Sequence, residues 1–265
     1  MTAMSSALHM ETMGSGTPVV LLHGWGMHAG VFSPLSAHLM QTYRAVAVDL
    51  PGHGESAAFE QFAELERLAD YTVKQLLPVL ESGAVVLGWS LGGLLAQAMA
   101  IAYPQYISKL VLICSTPRFV LADDWRYGLR PEVLEAFADD LRKDDASTLS
   151  RFLSLQFFGS ADQKVRLREA RKLLLARPRA QSSALAQGLS LLMRSDLRSR
   201  LGEISCPALV INAEHDTLVP AAAGQYLAEQ VADGRCVIIR GAGHAPFLSH
   251  TAGVTHFLDQ FLNEY

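Results

Sequence analysis

Short apolar runs alternate with longer segments of helical spacing along most of the chain. The apolar runs are four or five residues long and rich in valine, leucine and isoleucine, which predicts strands that are buried on both faces. They lie at residues 18–22, 45–49, 84–87, 110–113, 208–211 and 236–239. Helical patterns occupy residues 32–40, 65–80, 94–100 and 254–262. The alternation predicts an α/β protein with a mostly parallel central sheet and helices on both faces.

The pattern changes between residues 116 and 197, where we find no convincing buried strand. Helical patterns replace the strands there, and strand-like runs return only at residue 208. The predicted helices are residues 131–142, 148–158, 163–175 and 180–193. We therefore expect a core made of residues 1–115 and 198–265, interrupted by an inserted helical cap of residues 116–197.

Size and charge narrow the possible classes of protein. The 265 residues, half of them hydrophobic, suffice for one large core, and the net charge of −4 does not suggest nucleic acid as a partner. No apolar run reaches the about 18 residues that a membrane span needs. The first 18 residues carry no basic start and no hydrophobic stretch, so we expect no secretory signal and a cytoplasmic protein.

The three cysteines are Cys114, Cys206 and Cys236, which are far apart and form no C-x-x-C pair. Each lies in or beside an apolar segment, so we interpret each as a small buried hydrophobic residue. Unpaired cysteines fit a reducing compartment. No cluster has the spacing of metal ligands, and we expect neither a metal nor a cofactor.

Positive charge is concentrated in the predicted cap. Residues 147–200 hold eleven Lys and Arg against three Asp and Glu, a balance of +8, so the rest of the chain sums to −12. In the helix predicted at 163–175, four cations share one arc: Lys164, Arg168, Arg171 and Lys172. The arc is either a solvated helix face over a packed one or a docking surface for an acidic partner.

Residues 88–92 read Gly-Trp-Ser-Leu-Gly between a predicted strand and a predicted helix. Gly88 and Gly92 allow a turn tight enough to push the Ser90 side chain outward. The helix that follows directs its positive end at the hydroxyl and at any oxyanion beside it. The pentapeptide alone is a weak signal, because Gly and Ser are common in loops. A catalytic Ser90 also requires a base, an acid and an oxyanion hole.

Two loops offer the base and the acid. His244 follows the last predicted strand in a glycine-rich loop, at the strand end where open α/β sheets build their sites. Asp216 follows the strand at 208–211 and is the candidate that orients His244, with Glu214 as its competitor. The alternatives are a solvated loop histidine and an aspartate that caps a helix.

The oxyanion hole requires two backbone N–H donors. We expect one from Leu91, directly after the nucleophile, and the other from Trp25 in the loop at residues 23–26. His23 in that loop is interpreted as holding the loop by hydrogen bonds rather than moving protons.

Together these segments resemble the α/β-hydrolase superfamily over essentially the full chain. They are residues 22–26 (Leu-His-Gly-Trp-Gly), 49–56 (Asp-Leu-Pro-Gly-His-Gly-Glu-Ser), 88–93, and the loops of Asp216 and His244, in the order Ser, Asp, His. The resemblance implies the α/β-hydrolase fold and a serine hydrolase. It leaves the substrate open, although a serine in place of an aspartate nucleophile argues against dehalogenase and epoxide chemistry.

A narrower resemblance is to the pimeloyl-[acyl-carrier protein] methyl ester esterases of biotin synthesis. It rests on residues 88–94, 151–156 (Arg-Phe-Leu-Ser-Leu-Gln), 195–198 (Ser-Asp-Leu-Arg) and 244–250 (His-Ala-Pro-Phe-Leu-Ser-His). By this resemblance the substrate site is lined by Trp25, Ser90, Leu91, Phe152, Leu153, Ser154, Leu155, Gln156 and His244. Leu153, Leu155, Phe157 and Phe158 either line a slot for a medium-length acyl chain or pack the cap.

The same resemblance implies a partner, an acyl carrier protein that bears a methyl-esterified acyl chain. Family members hold the acidic carrier through cap arginines. Arg151 and Arg168 match such positions, Lys164 is a conservative replacement, and Ser147 departs from the pattern. Either Arg171 or Lys172 is placed to compensate for Ser147. We expect a monomer. The alternatives are a broad short-chain carboxylesterase or a C–C bond hydrolase of the same fold, and a binding module without catalysis.

Overall fold

The computed structural model describes residues 7–59, 64–157 and 163–264. Seven strands form one sheet in the order β1-β3-β2-β4-β5-β6-β7. They are β1 (Met10–Met13), β2 (Pro18–Leu22), β3 (Arg44–Val48), β4 (Ala84–Trp89), β5 (Ile107–Ile113), β6 (Ala208–Ala213) and β7 (Gly234–Ile239). All neighbours pair in parallel except β1, which is antiparallel to β3. The mostly parallel sheet that the apolar runs predict is confirmed.

The helices are α1 (Ser33–Leu39), α2 (Leu65–Leu80), α3 (Leu91–Ala102), α4 (Pro131–Lys143), α5 (Asp145–Gln156), α6 (Gln163–Leu175), α7 (Ser182–Arg194), α8 (Ala221–Gln230), α9 (Pro246–Ser249) and α10 (Thr251–Asn263). Side chains alternate across each buried strand, and this divides the core in two. Val20 and Leu22 pack with residues of α2, α3 and α8 on one face. Val19 and Leu21 pack with α1 and α10 on the other.

The four helices α4 to α7 lie between β5 and β6, as the change of pattern predicts. Helix α5 begins three residues before its predicted start, because Asp144 accepts a hydrogen bond from the Ser147 N–H (3.0 Å) and caps it. Its predicted end, Phe158, lies outside the described residues. We propose cap limits at residues 116 and 197, because the two junctions meet: Leu197 N–H donates to Pro117 O at 3.0 Å.

Ion pairs hold the junctions of the cap together. Arg118 and Arg198 both bind the Asp196 carboxylate, at 2.6 and 2.7 Å. These hydrogen bonds lower the pKa of Asp196 to about 2. Farther along, Arg177 follows α6 and pairs with Glu11 of β1, which ties the cap to an edge strand of the core sheet.

Strand β1 was not predicted, because it is an exposed edge strand without an apolar run and its sequence reads Met-Glu-Thr-Met. One prediction needs correction. Cys206 and Cys114 are buried as expected, but the prediction of burial is wrong for Cys236, which is half-buried because β7 forms the other edge of the sheet. Within the described ranges, no helix combines the length and the apolar character that crossing a membrane requires.

Candidate active site

Ser90 occupies a strained turn between β4 and α3. Its φ of 56° lies in the left-handed region, which a side chain other than glycine adopts only when the surroundings force it. The flanking glycines permit that turn: a Cβ on Gly88 would lie 2.3 Å from Gly92 O, and a Cβ on Gly92 would lie 2.1 Å from Leu22 O. Close packing of these backbones therefore helps to hold the turn of Ser90 at the carboxyl end of β4.

Asp216 and His244 meet at the ends of the next strands. The Nδ1–H of His244 donates to Asp216 Oδ2 at 2.7 Å, and both side chains are fully buried. The other carboxylate oxygen of Asp216 accepts from the backbone N–H groups of Leu218 and Val219, at 2.8 and 3.0 Å. Glu214, the competing acid, is exposed and accepts instead from Gly241 N–H. Asp216 is thus the acid that contacts the histidine.

The second nitrogen of His244 is available for chemistry. Its Nε2 is buried and has no hydrogen-bond partner among the described residues. With the Nδ1 proton directed at Asp216, a neutral ring carries its lone pair on Nε2. The backbone of His244 is fixed as well, because Trp89 Nε1–H donates to its carbonyl at 2.8 Å. Such an imidazole can accept a proton at Nε2.

The loop at residues 23–26 lies against the Ser90 turn. A Cβ on Gly24 would lie 3.2 Å from Ser90 Cβ, so the two backbones are in close contact. The Trp25 indole donates to Leu185 O of α7 at 2.8 Å and meets the Phe152 ring edge-on at 4.8 Å between centroids. Leu91 is the first residue of α3, where backbone N–H groups have no partner within the helix. The assignment of Trp25 and Leu91 as oxyanion donors stays a prediction.

His23 is a structural residue in this loop. Its Nε2 accepts from Leu50 N–H at 2.9 Å, so its Nδ1–H donates to Gly24 O at 2.8 Å and the ring is neutral. Complete burial holds the pKa of His23 well below its ordinary value, and the nearby His53 lowers it further. The hydrogen bonds agree with the interpretation that His23 holds the loop.

A family model described as the alpha/beta hydrolase family matches residues 19–256 of the chain. That span contains the Ser90 turn, Asp216 and His244 together with nearly all of the sheet. The chain belongs to the alpha/beta hydrolase family.

Relatives within this family cover almost the whole chain. A pimeloyl-[acyl-carrier protein] methyl ester esterase of Xanthomonas campestris pv. campestris is 41% identical over 255 residues, which is 96% of this chain and 98% of that protein. One from Shewanella woodyi is 39% identical over 263 residues, covering 97% and 100%. Among solved structures, an esterase from Exiguobacterium antarcticum has a TM-score of 0.87 at 27% identity and covers 97% and 96%.

The cap residues expected to bind substrate fall into two groups in this alpha/beta hydrolase. Phe152 touches Trp25, while Leu153 and Gln156 border a small cavity beside Met27 of the loop, where Gln156 Oε1 is buried without a partner among the described residues. Ser154 instead donates to Ser150 O within its own helix at 2.9 Å, and Leu155 is a half-buried residue packed against the main core cluster. For all five residues, substrate contact stays a prediction.

The expected docking residues come from neighbouring cap helices. Lys164, Arg168 and Arg171 are exposed on α6. Arg171 donates to Ser150 Oγ of α5 at 3.0 Å, which brings α6 next to Arg151. The Arg151 guanidinium pairs with Asp140 at 2.5 Å and lies over the Phe137 ring at 4.8 Å. The four cations therefore lie on two adjoining helices.

Sequence reasoning missed residues that support the site. The sequence assigns no role to Trp89 beyond its place in the pentapeptide, although its indole fixes the His244 loop. Ser115, directly after β5, donates to Ser90 O at 2.9 Å. Cys114, interpreted as a plain hydrophobic residue, lies beside Asp216 and His244. For Cys114 and Ser115 the available signal was their position, since they directly follow β5, the strand that pairs with β4.

Proposed function

We propose that the protein is a serine carboxylesterase that hydrolyses the methyl ester of a carrier-bound pimeloyl chain to the free acid and methanol. The observation that carries the chemistry is the buried Asp216–His244 hydrogen bond of 2.7 Å, at the strand ends of the same sheet that carries Ser90 at φ 56°. The substrate follows from the relatives, which are named for this reaction and match 92% or more of the chain.

The proposed reaction proceeds through an acyl-enzyme. His244 Nε2 takes the proton of Ser90 Oγ as that oxygen attacks the ester carbonyl, and Asp216 stabilises the imidazolium that forms. The N–H groups of Trp25 and Leu91 receive the oxyanion. His244 then protonates the departing methoxide, which leaves as methanol. A water molecule, deprotonated by the same nitrogen, hydrolyses the acyl-enzyme and restores Ser90.

An apolar cavity between α5 and α6 supports a route for the acyl chain. It holds about 240 Å³ and is lined by leucines with Arg171 and Arg179. Two of those leucines form its inner side: Leu149 packs against Gly26, and Leu153 also borders the small cavity at Met27. Because Ser90 and His244 are only 3% and 1% exposed, we infer that the cap shifts when substrate enters.

The proposed carrier docks on the basic face of α6. Carrier proteins of this class are acidic, and the exposed cations Lys164, Arg168 and Arg171 supply the opposite charge next to the cavity. Ser147, at a position where family members hold an arginine, is compensated here by Arg171. We further propose that the enzyme acts as a monomer in the cytoplasm without metal or cofactor. Its three free cysteines support the reducing compartment.

Replacement of the nucleophile tests the chemistry. Ser90→Ala should lower kcat on a small methyl ester by several orders of magnitude and abolish labelling by a fluorophosphonate, with an unchanged melting temperature. The exposed Ser108→Ala is the matched control and should keep both properties. A Ser90→Ala enzyme with ordinary esterase activity would contradict the mechanism, and absence of labelling in the parent would favour a binding module.

Charge reversal tests the carrier separately. The triple variant Lys164→Glu, Arg168→Glu, Arg171→Glu should raise KM for the carrier-bound ester at least tenfold and leave a small ester unaffected. A control with the same change of charge is Arg67→Glu, Lys74→Glu, Arg200→Glu, on the core. Equal effects on both substrates would remove the docking surface.

The substrate itself is tested by chain length and by growth. Methyl pimeloyl-carrier should be hydrolysed faster than the glutaryl and azelayl esters, and the gene should restore growth of a biotin auxotroph that lacks this step. Failure of rescue together with strong activity on small esters would favour the broad short-chain carboxylesterase.

A further inference from the structure

Cys114 occupies the end of the strand that lies between the catalytic strands. The sheet order places β4, β5, β6 and β7 side by side, so their carboxyl ends form one row. Ser90 follows β4, Asp216 follows β6 and His244 follows β7, which leaves the position after β5 to Cys114. Cys114 N–H donates to Ile211 O of β6 at 2.8 Å, which fixes this residue beside the Asp216 strand.

The thiol lies within reach of the acid and the base. The Cys114 Sγ, a carboxylate oxygen of Asp216 and a ring nitrogen of His244 all lie within 4.8 Å of one another, and all three residues are buried. Within the described ranges, no other three side chains of the types His, Cys, Asp and Glu come this close. Three donors to Asp216 are already assigned, two backbone N–H groups and the imidazole, so the carboxylate has room for a fourth.

The backbone at Cys114 is strained. Its φ of 46° is a left-handed conformation, and Cys114 and Ser90 are the two residues other than glycine with positive φ among those described. Glycine would adopt this conformation without strain, whereas a side chain adopts it only where its surroundings hold it there. The strained backbone therefore keeps the Cys114 side chain in one place at the end of β5.

We propose that Cys114 is a positioning residue, whose thiol donates a hydrogen bond to the Asp216 carboxylate and so sets how strongly that carboxylate stabilises the His244 imidazolium. The proposal rests on the catalytic role of Asp216 and His244 given above. Asp216 and His244 are the titratable groups that lie against the thiol, whereas Glu214 and His215 of the same loop are exposed to solvent.

The state of the thiol agrees with a donor. Burial raises the pKa of Cys114 well above its ordinary value, and the charge of Asp216 raises it further. The sulfur stays protonated through the range in which an esterase works, so it donates and does not act as a nucleophile.

Two substitutions at Cys114 change the strength of the hydrogen-bond donor to Asp216 in opposite directions. Cys114→Ala removes it, which leaves more negative charge on Asp216, favours the imidazolium and moves the acidic limb of kcat/KM to higher pH. Cys114→Ser supplies a stronger donor, which withdraws charge and moves the limb to lower pH. A role limited to packing would change stability in both variants without opposite shifts of the profile.

The test is the pH profile of kcat/KM on a small methyl ester, so that carrier docking does not enter. Cys114→Ala should keep kcat within about threefold at unchanged KM, with the limb shifted up by a few tenths of a pH unit. Cys114→Ser should retain kcat within about threefold with the limb shifted down. Cys206→Ala, at a buried cysteine outside the site, is the control and should match the parent.

The outcomes separate this proposal from the function itself. Parental profiles in both variants, or shifts in the same direction, would overturn the role of Cys114 while Ser90 labelling still supports the esterase. If Cys114→Ala does not fold, Cys114→Ser alone tests the proposal. A shift of its acidic limb to lower pH supports the role of Cys114, and the absence of that shift overturns it. Activity that survives Ser90→Ala would instead overturn the proposed function.

Discussion

At the scale of single residues, the indole of Trp89 connects the turn of Ser90 to the loop of His244. Its Nε1–H donates to His244 O at 2.8 Å, and its ring meets Phe247 edge-on at 5.0 Å. Trp89 is fully buried and is next to the nucleophile in the sequence. The distance between nucleophile and base is therefore controlled by a side chain that takes no part in the chemistry.

Trp89→Phe should keep the aromatic packing and lose the hydrogen bond. We expect kcat to fall roughly tenfold, because small displacements of a catalytic group are costly. The orphaned His244 carbonyl should lower the free energy of unfolding by about 1–2 kcal/mol. Steady-state kinetics on a small ester and urea unfolding measure the two effects.

A matched control exists in the segment that leads into the cap. Trp125 donates its Nε1–H to Arg118 O at 3.0 Å and is buried against aromatic rings. Trp125→Phe should lose similar stability while kcat is unchanged. If Trp89→Phe loses stability but keeps full kcat, the link between the two loops has no catalytic role.

At the scale of elements, helix α3 approaches strand β2 more closely than any side chain allows. A Cβ on Gly92 would lie 2.1 Å from Leu22 O and 2.6 Å from His23 O, and these backbone atoms have no freedom to rotate away. The close approach sets the turn of Ser90 and the oxyanion loop against each other. Gly92 has the backbone conformation of a helix, which any residue can adopt. Glycine is required here because a side chain has no room.

Gly92→Ala should therefore separate α3 from β2. We expect a loss of about 3 kcal/mol in the free energy of unfolding, measured by urea titration, and a large loss of esterase activity in the protein that still folds. Gly202→Ala is the control, because an added Cβ there meets no atom within 4 Å and should change stability by less than about 0.5 kcal/mol. A stable, active Gly92→Ala enzyme would show that the turn can relax.

The sequence predicts helices well where an amphipathic pattern continues over many residues. The helices at 65–80 and 163–175 are observed with those bounds, since each keeps helical spacing for at least 13 residues. Helix α8 was not predicted, because its Ala-rich sequence shows no separate apolar and polar faces.

The role of Cys114 was missed for another reason. Its partner Asp216 lies on a different strand, and only the sheet order brings the two together.

At the scale of the whole molecule, buried histidines make stability depend on pH. His23, His28 and His53 are all buried, and desolvation lowers the pKa of each, for His53 to about 4. His28 Nε2–H donates to Leu173 O of α6 at 3.0 Å, so one of them also joins the cap to the core. Protonation of these rings would place positive charge where it has no solvent.

The lowered pKa values determine the direction in which stability changes with pH. The unfolded chain binds a proton at each histidine near pH 6.5, whereas the folded protein resists it until lower pH. The stability that the neutral ring supports is complete above pH 6.5 and is lost as pH falls from 6.5 towards 4. For His53 alone, the loss between pH 7 and pH 5 is about 2 kcal/mol. The lowered pKa of Asp196, about 2, acts only below this window.

His53→Asn should flatten that dependence, because an amide keeps a donor for Pro51 O and does not titrate. We expect the free energy of unfolding of the parent to fall between pH 7 and pH 5 by at least about 2 kcal/mol, and that of the variant to fall by about 2 kcal/mol less. His215→Asn, at an exposed histidine, should retain the parental dependence. The free energy of unfolding is measured by urea titration at both pH values. An equal fall between pH 7 and pH 5 in the parent and in His53→Asn would contradict the prediction. It would mean that water reaches His53 in the folded protein at mild acidity.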